Sequence, residues 1–334
     1  MSAGSPTGAV RHGLTIPGLG AGDAARLGKA AFWFLLQLLM LLLATATLLF
    51  FLVRLTGDPA VILSGESSDL DAIAALRAKH GLDQPLYVQY LRFLAQAAQL
   101  DFGVSWVDGR DALGIAWERI PATLFLAATG MAVNLAISIP LGTFLGTRLA
   151  PRLRRVLDGA IFVMQGVPGY VVALFLIQLL VVEFRMFPSV GNESPLSWIL
   201  PSLTIASFLA PKLARVIAVN VSEAMQEDYV TMARAQGARY SILVVRHALP
   251  NAMLGATALI GTQVAGLVNG IIITETIFGW PGVGRLLLDS VLLLDFPVVQ
   301  AVVVLTTVLV FVVNWATDRL IEVIDPRLKG EGRA

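Results

Sequence analysis

Histidine occurs only at positions 12, 80 and 247 of this chain, and cysteine does not occur. His12, His80 and His247 are too scattered to hold a metal, and no thiolate is available as nucleophile, ligand or disulfide partner. No G-x-x-x-x-G-K-[ST] stretch supplies a phosphate cradle. GLGAG at 18–22 lacks the lysine and any preceding strand. H-E-x-x-H and G-x-S-x-G are absent too. The chemistry that remains is hydrogen bonding. Asn134, Gln165, Gln178, Gln263, Asn269 and Asn314 all lie inside long apolar runs. A carboxamide there either lines a polar path or bonds a neighbouring helix, the latter worth ~0.6 kcal/mol on average. Gln165 stands out because Gly166, Pro168 and Gly169 break the helix beside it. Irregular backbone at membrane depth is tolerated only within protein or along a cavity. Met131, Met164 and the phenylalanines read as packing.

The elements that must position these groups are membrane helices. The 334 residues are 56% hydrophobic and 14% charged, against about 25% charged in a soluble domain. The mean hydropathy is +0.76. A net charge of +1 gives no sign of nucleic-acid binding. A bilayer core needs about 20 mostly apolar residues per helix. Six windows qualify: 30–53, 121–147, 157–183, 197–218, 250–273 and 298–323. The first is longer than the ~7–15 residues of a signal-peptide core, so it reads as a span. Pro121 suits the first turn of the second. Lys212 and Arg215 place the end of the fourth at the membrane surface or beyond.

Arginine and lysine set the expected orientation. Arg148, Arg152, Arg154 and Arg155 fill one short loop; Lys212, Arg215, Arg234, Arg239 and Arg246 fill 212–247; Arg327, Lys329 and Arg333 lie in the tail. The opposite loops, 184–196 and 274–297, carry only Arg185 and Arg285. Both termini are therefore expected in the cytoplasm. The division is a tail over 1–28, a first span over 29–54, and an outer loop over 55–120. A five-helix core over 121–323 and a tail over 324–334 complete it. LDAIAALRAKHGLDQPLYVQYLRFLAQAAQL, at 70–100, predicts a small helical subdomain in the outer loop. TETIFGWPGVGRLLLDSVLLLDFP, at 274–297, is too apolar for a free loop and too broken for a span. It reads as a segment re-entering the outer mouth. Glu275, Phe278, Trp280 and Arg285 are its candidate gate residues. Glu275 and Arg285 pair across the turn or cap it, and Phe278 and Trp280 either pack or seal the mouth.

EDYVTMARAQGARYSILVVRHALPNA, at 227–252, lies within the cytoplasmic loop 219–249 and the start of the next span. Tyr229, Met232, Ala233 and Gln236 give one mildly apolar helical face. Gly237 is suited to end that helix. A second short helix, with Ile242, Val245 and Leu249 on one face, runs to Pro250. Two readings stay open: an amphipathic helix on lipid, or a docking knob for a cytoplasmic partner.

DYVTMARAQG and HALPNA resemble the signature loop of ATP-binding-cassette importer permeases. That pattern is Glu-Ala-Ala, three residues, Gly, nine residues, then Ile-x-Leu-Pro. Thr231, Met232 and Ala233 take the first places, Gly237 the glycine, and His247, Leu249 and Pro250 the last. The departures at Thr231, Met232 and His247 are similar to the peptide and nickel branch. RLTGDPA, GLDQPLYVQYLRFL, DFGVSW, RIPATL, IPLG, ILPSLTIA, TETIFGWPGVGRLLLDSV and DPRLKG, in this order, also resemble dipeptide, oligopeptide and nickel permeases, as their B-type subunit. Only the first 28 residues fall outside the resemblance.

The resemblance implies an all-α, six-span permease subunit of the bacterial inner membrane, with a helical outer subdomain and a two-helix coupling loop. It implies a second homologous permease, two cytoplasmic ATPases, an extracytoplasmic solute-binding protein and surrounding lipid as partners. Tyr229, Thr231, Met232, Ala233, Gly237, Leu249 and Pro250 would couple to the ATPase; Asn134, Gln165, Gln263 and Asn269 would line the path. No cofactor would bind this chain, with ATP and Mg held by the partners, and no residue here would be catalytic. Related systems carry peptides, nickel, metallophores, opines and glutathione. Two rival classes fare worse on the residues themselves. A proton- or sodium-driven transporter needs a membrane-embedded carboxylate or ion site, and the central thirds of the six windows hold no Asp, Glu, Lys or Arg. An intramembrane enzyme needs a nucleophile and base, or metal ligands, at that depth.

Overall fold

The computed structural model describes residues 21–56, 61, 70–80, 83–147, 151–188 and 191–324. Residues 1–20 of the expected tail over 1–28, Arg148 and the basic C-terminal residues lie outside them; residues 21–28 are helical and continue into the first span rather than forming a tail. Among the described residues the fold is all-α, with one isolated bridge between Val104 and Asp111. The helices are α1 (Ala21–Thr56), α2 (Leu70–His80), α3 (Leu86–Ala98), α4 (Ala112–Gly146), α5 (Pro151–Gly166) and α6 (Gly169–Leu176, running on as a π-helix over Ile177–Glu183). They continue with α7 (Ile199–Ala224) and α8 (Asp228–Ala235). α9 is one run of Tyr240–Ile242, a π-helical stretch Leu243–Ala248 and Leu249–Gly270. α10 (Ile272–Ile277), α11 (Val283–Leu292) and α12 (Phe296–Ile324) close the chain.

Five segments are long and apolar enough to cross a membrane: Ala31–Leu52, Ala112–Gly146, Ile199–Ala224, Tyr240–Leu267 and Phe296–Ile321. The expected span over 157–183 is two helices, α5 and α6, that meet at 101°. The break falls at the Gly166–Pro168 turn, where proline has no N–H to continue the helix. Counting that bent pair as one span gives six. Pro121 does not open the second span, because α4 starts at Ala112. Asp111 caps it by accepting from the Gly114 N–H at 2.6 Å. At ~1.5 Å per residue, the 35 residues of α4 outreach a bilayer core of about 30 Å.

α4 and α7 form the spine. Their backbones touch because glycine removes the side chain between them. A Cβ at Gly142 would stand 2.6 Å from the Ala214 carbonyl oxygen, and one at Gly146 2.6 Å from that of Ala218. This is the small-x-x-x-small contact of membrane helices. Gly130 likewise abuts Ile205. Residues 142 and 146 meet residues 214 to 221, while Ala122 and Thr123 meet the α10–α11 segment. α4 therefore joins two opposite ends of the bundle.

Within the loop expected over 55–120, Leu70–His80 and Leu86–Ala98 are helical, as α2 and α3. α3 leans on α1 through Phe50, whose ring lies 5.2 Å from Tyr90 and 5.8 Å from Phe93. Thr47 and Tyr90 share a 2.7 Å hydroxyl contact. The following loop is tied to the start of α12. Buried Asp295 accepts from the Ser105 hydroxyl and from the Trp106 N–H, the latter at 3.0 Å.

Candidate functional site

The polar stretch after α7 folds into a knob. Asp228 opens α8, complementing the helix dipole, and Arg234 sits in its last turn. Gly237 adopts φ +84°. Its N–H donates to Arg234 O at 3.0 Å, and the Ala238 N–H donates to Ala233 O at 3.1 Å. That bond pair is a Schellman termination, which requires a left-handed residue at this position. Val230, Ala233 and Leu243 form a small core beneath, flanked by Met225 and Ala238. Asn251 donates to the Tyr229 hydroxyl at 3.0 Å, tying α8 to α9.

Two expectations about this knob change. Its second helix is not separate; it continues through the π-helical stretch into the membrane span, with Pro250 inside the run. The inward face is Leu243, Val244 and Ala248 rather than Ile242, Val245 and Leu249. Bonds from i to i+5 place residues five apart on one face, which an α-helical reading misses. On α8, Val230 and Ala233 face inward. Met232 is 65% exposed and Tyr229 39%; Thr231 and Gln236 are exposed as well. Leu249 is half-buried and Pro250 exposed. Of the face that the sequence shows, Tyr229, Met232 and Gln236 turn outward and only Ala233 turns to the chain's own core.

At the opposite end, α10, a tight turn and α11 form a compact unit centred on Glu275, which is 0% exposed. Its carboxylate accepts from the Thr123 hydroxyl at 2.6 Å, the Gly284 N–H at 2.8 Å and the Arg285 N–H at 3.1 Å. The carboxylate caps α11, satisfying N–H groups that a helix start leaves open. The Thr123 oxygen in turn accepts from the Val283 N–H at 2.8 Å. Glu275 thus meets the main chain of Arg285. The Arg285 guanidinium instead donates to Gly279 O at 2.6 Å and lies 3.5 Å from Asp289. Trp280 is 4% exposed, donates to Ala122 O at 2.9 Å and stacks on Phe125. Phe278 is buried against Ala173 and Leu200.

Of the expected path residues, two are brought together. Asn134 donates to Gln263 Oε1 at 2.9 Å, and Gln263 donates to Leu209 O at 3.0 Å. Ser138 donates to Asn134 Oδ1 at 2.9 Å. This buried network joins α4, α7 and α9, and it was not legible in single residues. Gln165 and Gln178 stand apart from it, exposed on the bent α5–α6 pair; Gln178 donates to Glu183 at 3.2 Å. Asn314 has a buried Oδ1 without a partner among the described residues. The side chain of Asn269 lies outside the described residues.

The described residues thus combine candidate membrane spans with a surface knob and a buried polar seam. Residues 138–330 match the family model described as "Binding-protein-dependent transport system inner membrane component". Residues 33–127 match the corresponding N-terminal model. The chain is 36% identical over 306 residues to the glutathione transport system permease protein GsiC of Salmonella paratyphi A, covering 88% of this chain and 97% of that one. It is 35% identical to the Escherichia coli K12 protein of that name over 301 residues, with the same coverages. An inward-facing structure of the MetNI methionine ABC transporter shares the fold, with TM-score 0.52, 20% identity, and coverage of 63% of this chain and 96% of that one.

The chain belongs to the inner-membrane components of binding-protein-dependent transport systems. It is a multi-pass permease of an ABC importer for small solutes, a translocation component rather than an enzyme. Membership implies an ATPase and a substrate-binding protein as partners.

Proposed function

We propose that α8 and the Gly237 turn are the docking element for the partner ATPase, and that this end of the bundle is cytoplasmic. The exposed pair Tyr229 and Met232 on a rigidly terminated helix carries the reading. Thr231 shares their exposed face, while Ala233 and Gly237 set the shape beneath it. Because α9 runs from the knob into the membrane without a break, displacement of α8 moves a span directly. Leu249 and Pro250 lie on that lever. The basic residues Arg234, Arg239 and Arg246 at this end fit a cytoplasmic face.

The complete importer in this reading pairs the chain with a second, homologous permease, two ATPases that hold ATP and Mg, and an extracytoplasmic binding protein. The amides of Gln165 and Gln178 are too costly to face lipid. Their exposure on α5–α6 supports a path or subunit seam on that side. Asn134 and Gln263 act chiefly as ties between helices, with their hydrogen-bonding groups engaged by neighbours. Likewise, burial of Phe278 and Trp280 favours a structural plug over a swinging gate. The solute is a short peptide or a peptide-like compound such as glutathione, the solute named for the GsiC relatives.

Gly237→Arg tests the docking claim. It should leave the chain in the membrane but abolish uptake and co-purification of the ATPase. A Gly237→Arg complex that assembles and transports normally refutes it. Orientation is tested in this cysteine-free chain with single cysteines. An impermeant thiol reagent applied to intact cells should label Asp108→Cys and spare Ser241→Cys.

A further inference from the structure

The end of the bundle opposite the knob holds an open cavity of ≈ 700 Å³ beside the α10–α11 turn. Glu118, Arg119, Phe125, Asn192, Trp280 and Pro281 line it. Its volume lies within the ~300–1,000 Å³ range of small-molecule sites. One wall is apolar: the Phe125 and Trp280 rings lie 6.2 Å apart and 10° from parallel. The Trp280 N–H is already donated to Ala122, so the indole offers the cavity only carbon.

The other wall is charged, and its charges are not equivalent. Glu118 is engaged in an ion pair with Arg110. Arg119 has neither hydrogen bond nor ion pair among the described residues, and its Nε is shielded from water without an acceptor. A guanidinium N–H removed from water with no partner is costly, and more so because it is charged. The unbalanced group in the cavity is therefore one half-buried cation. Asn192, exposed at the rim, adds an amide that both donates and accepts.

We propose that this cavity is a solute subsite for a carboxylate-bearing compound of peptide type. The carboxylate pairs with Arg119, and the apolar part of the solute lies against Phe125 and Trp280. The planar guanidinium fork matches a carboxylate in two parallel hydrogen bonds, which a lysine cannot reproduce. The assignment rests on the importer reading and deepens it, since it names a chemical group that the permease itself recognises.

The full chain in lipid nanodiscs is titrated with alanyl-alanine and with alanyl-alanine amide, and ligand-observed NMR reads binding. The wild-type chain should bind the free acid roughly tenfold or more tighter than the amide, as loss of one charge-assisted pair implies. Arg119→Gln should bring the acid down to the level of the amide. Arg119→Lys should restore part of the difference. Asn192→Asp alters an exposed rim position, so folding is not at issue; it should weaken the acid and spare the amide. Equal binding of acid and amide, no binding of either, or discrimination that survives Arg119→Gln overturns the subsite. Uptake by cells carrying the complete importer separates the two claims. Uptake that depends on this chain while the titration fails removes only the subsite; uptake unaffected by deletion of the chain removes the peptide-solute reading itself.

Discussion

Glu275→Ala removes a buried carboxylate on which one end of the bundle is built. Glu275 is fully buried and receives three hydrogen bonds, from Thr123, Gly284 and Arg285. Alanine would leave those donors without an acceptor. The Thr123 hydroxyl can turn, but the two backbone N–H groups are fixed by the start of α11. An unsatisfied buried donor costs ~1–3 kcal/mol, so the pair implies about 2–6 kcal/mol. That is comparable to the whole stability of many domains, about 5–15 kcal/mol. Glu275→Gln keeps the volume and one acceptor oxygen and should cost less, about 1–3 kcal/mol. Thermal unfolding of the full chain in detergent, followed by intrinsic fluorescence, ranks the three proteins. A Glu275→Ala protein within ~0.5 kcal/mol of wild type, the range of ordinary surface changes, would refute the cap. pH gives an independent check. Burial is the largest influence on this carboxyl and raises it above its ordinary value of 4.5, while the bonds from Thr123, Arg285 and Gly284 oppose it. The folded chain then holds this proton more tightly than the unfolded chain does. The resulting stabilisation is fully present below the ordinary value and is lost as pH rises through the folded one. Wild type should therefore gain stability relative to Glu275→Gln as the solution is acidified from neutral, and the opposite trend would contradict the burial argument.

Gly142→Ala places a methyl 2.6 Å from the Ala214 carbonyl and should cost ~1–3 kcal/mol as an overpacked contact. Gly166→Ala meets nothing within 4 Å and should leave the melting temperature nearly unchanged. Asp295→Ala removes the acceptor of Ser105 and Trp106 and should cost ~1.5–3 kcal/mol per lost charged bond; protease should then cut the 101–111 loop sooner than in wild type. A double-mutant cycle of Asn134→Ala and Gln263→Ala should show coupling of ~0.6 kcal/mol, up to ~1.7, in unfolding. Additive losses in stability would dissolve the proposed tie.

Much of the fold is legible because the bilayer enforces long apolar helices, and each expected window has a helical counterpart. Gly237 is legible because its left-handed backbone is nearly exclusive to glycine. Other features depend on partners distant in sequence. Asn134 and Gln263 are 129 positions apart, and neither one alone shows whether its amide meets the other or a solute. Arg119 falls in the outer loop expected over 55–120, and only the fold sets it, without a counter-charge among the described residues, in the same cavity wall as Trp280. The GTFLG sequence at 142–146 carries a small-x-x-x-small signal for the α4–α7 contact, and it marks a helix interface rather than a path. The inward face of the second knob helix is the plainest loss. A π-helical stretch changes which residues align, and nothing in the residue types over 243–248 announces it.

Cross-linking from the knob bears most directly on the central claim. Met232→Cys should be the sole cysteine of this chain, on the exposed face of α8. In membranes containing the complete importer, a short thiol cross-linker should join it to the ATPase subunit, and the yield should change when nucleotide is added. Asp108→Cys, at the opposite end of the bundle, should give no such product. Cross-linking to the ATPase from Asp108→Cys and not from Met232→Cys would contradict the account.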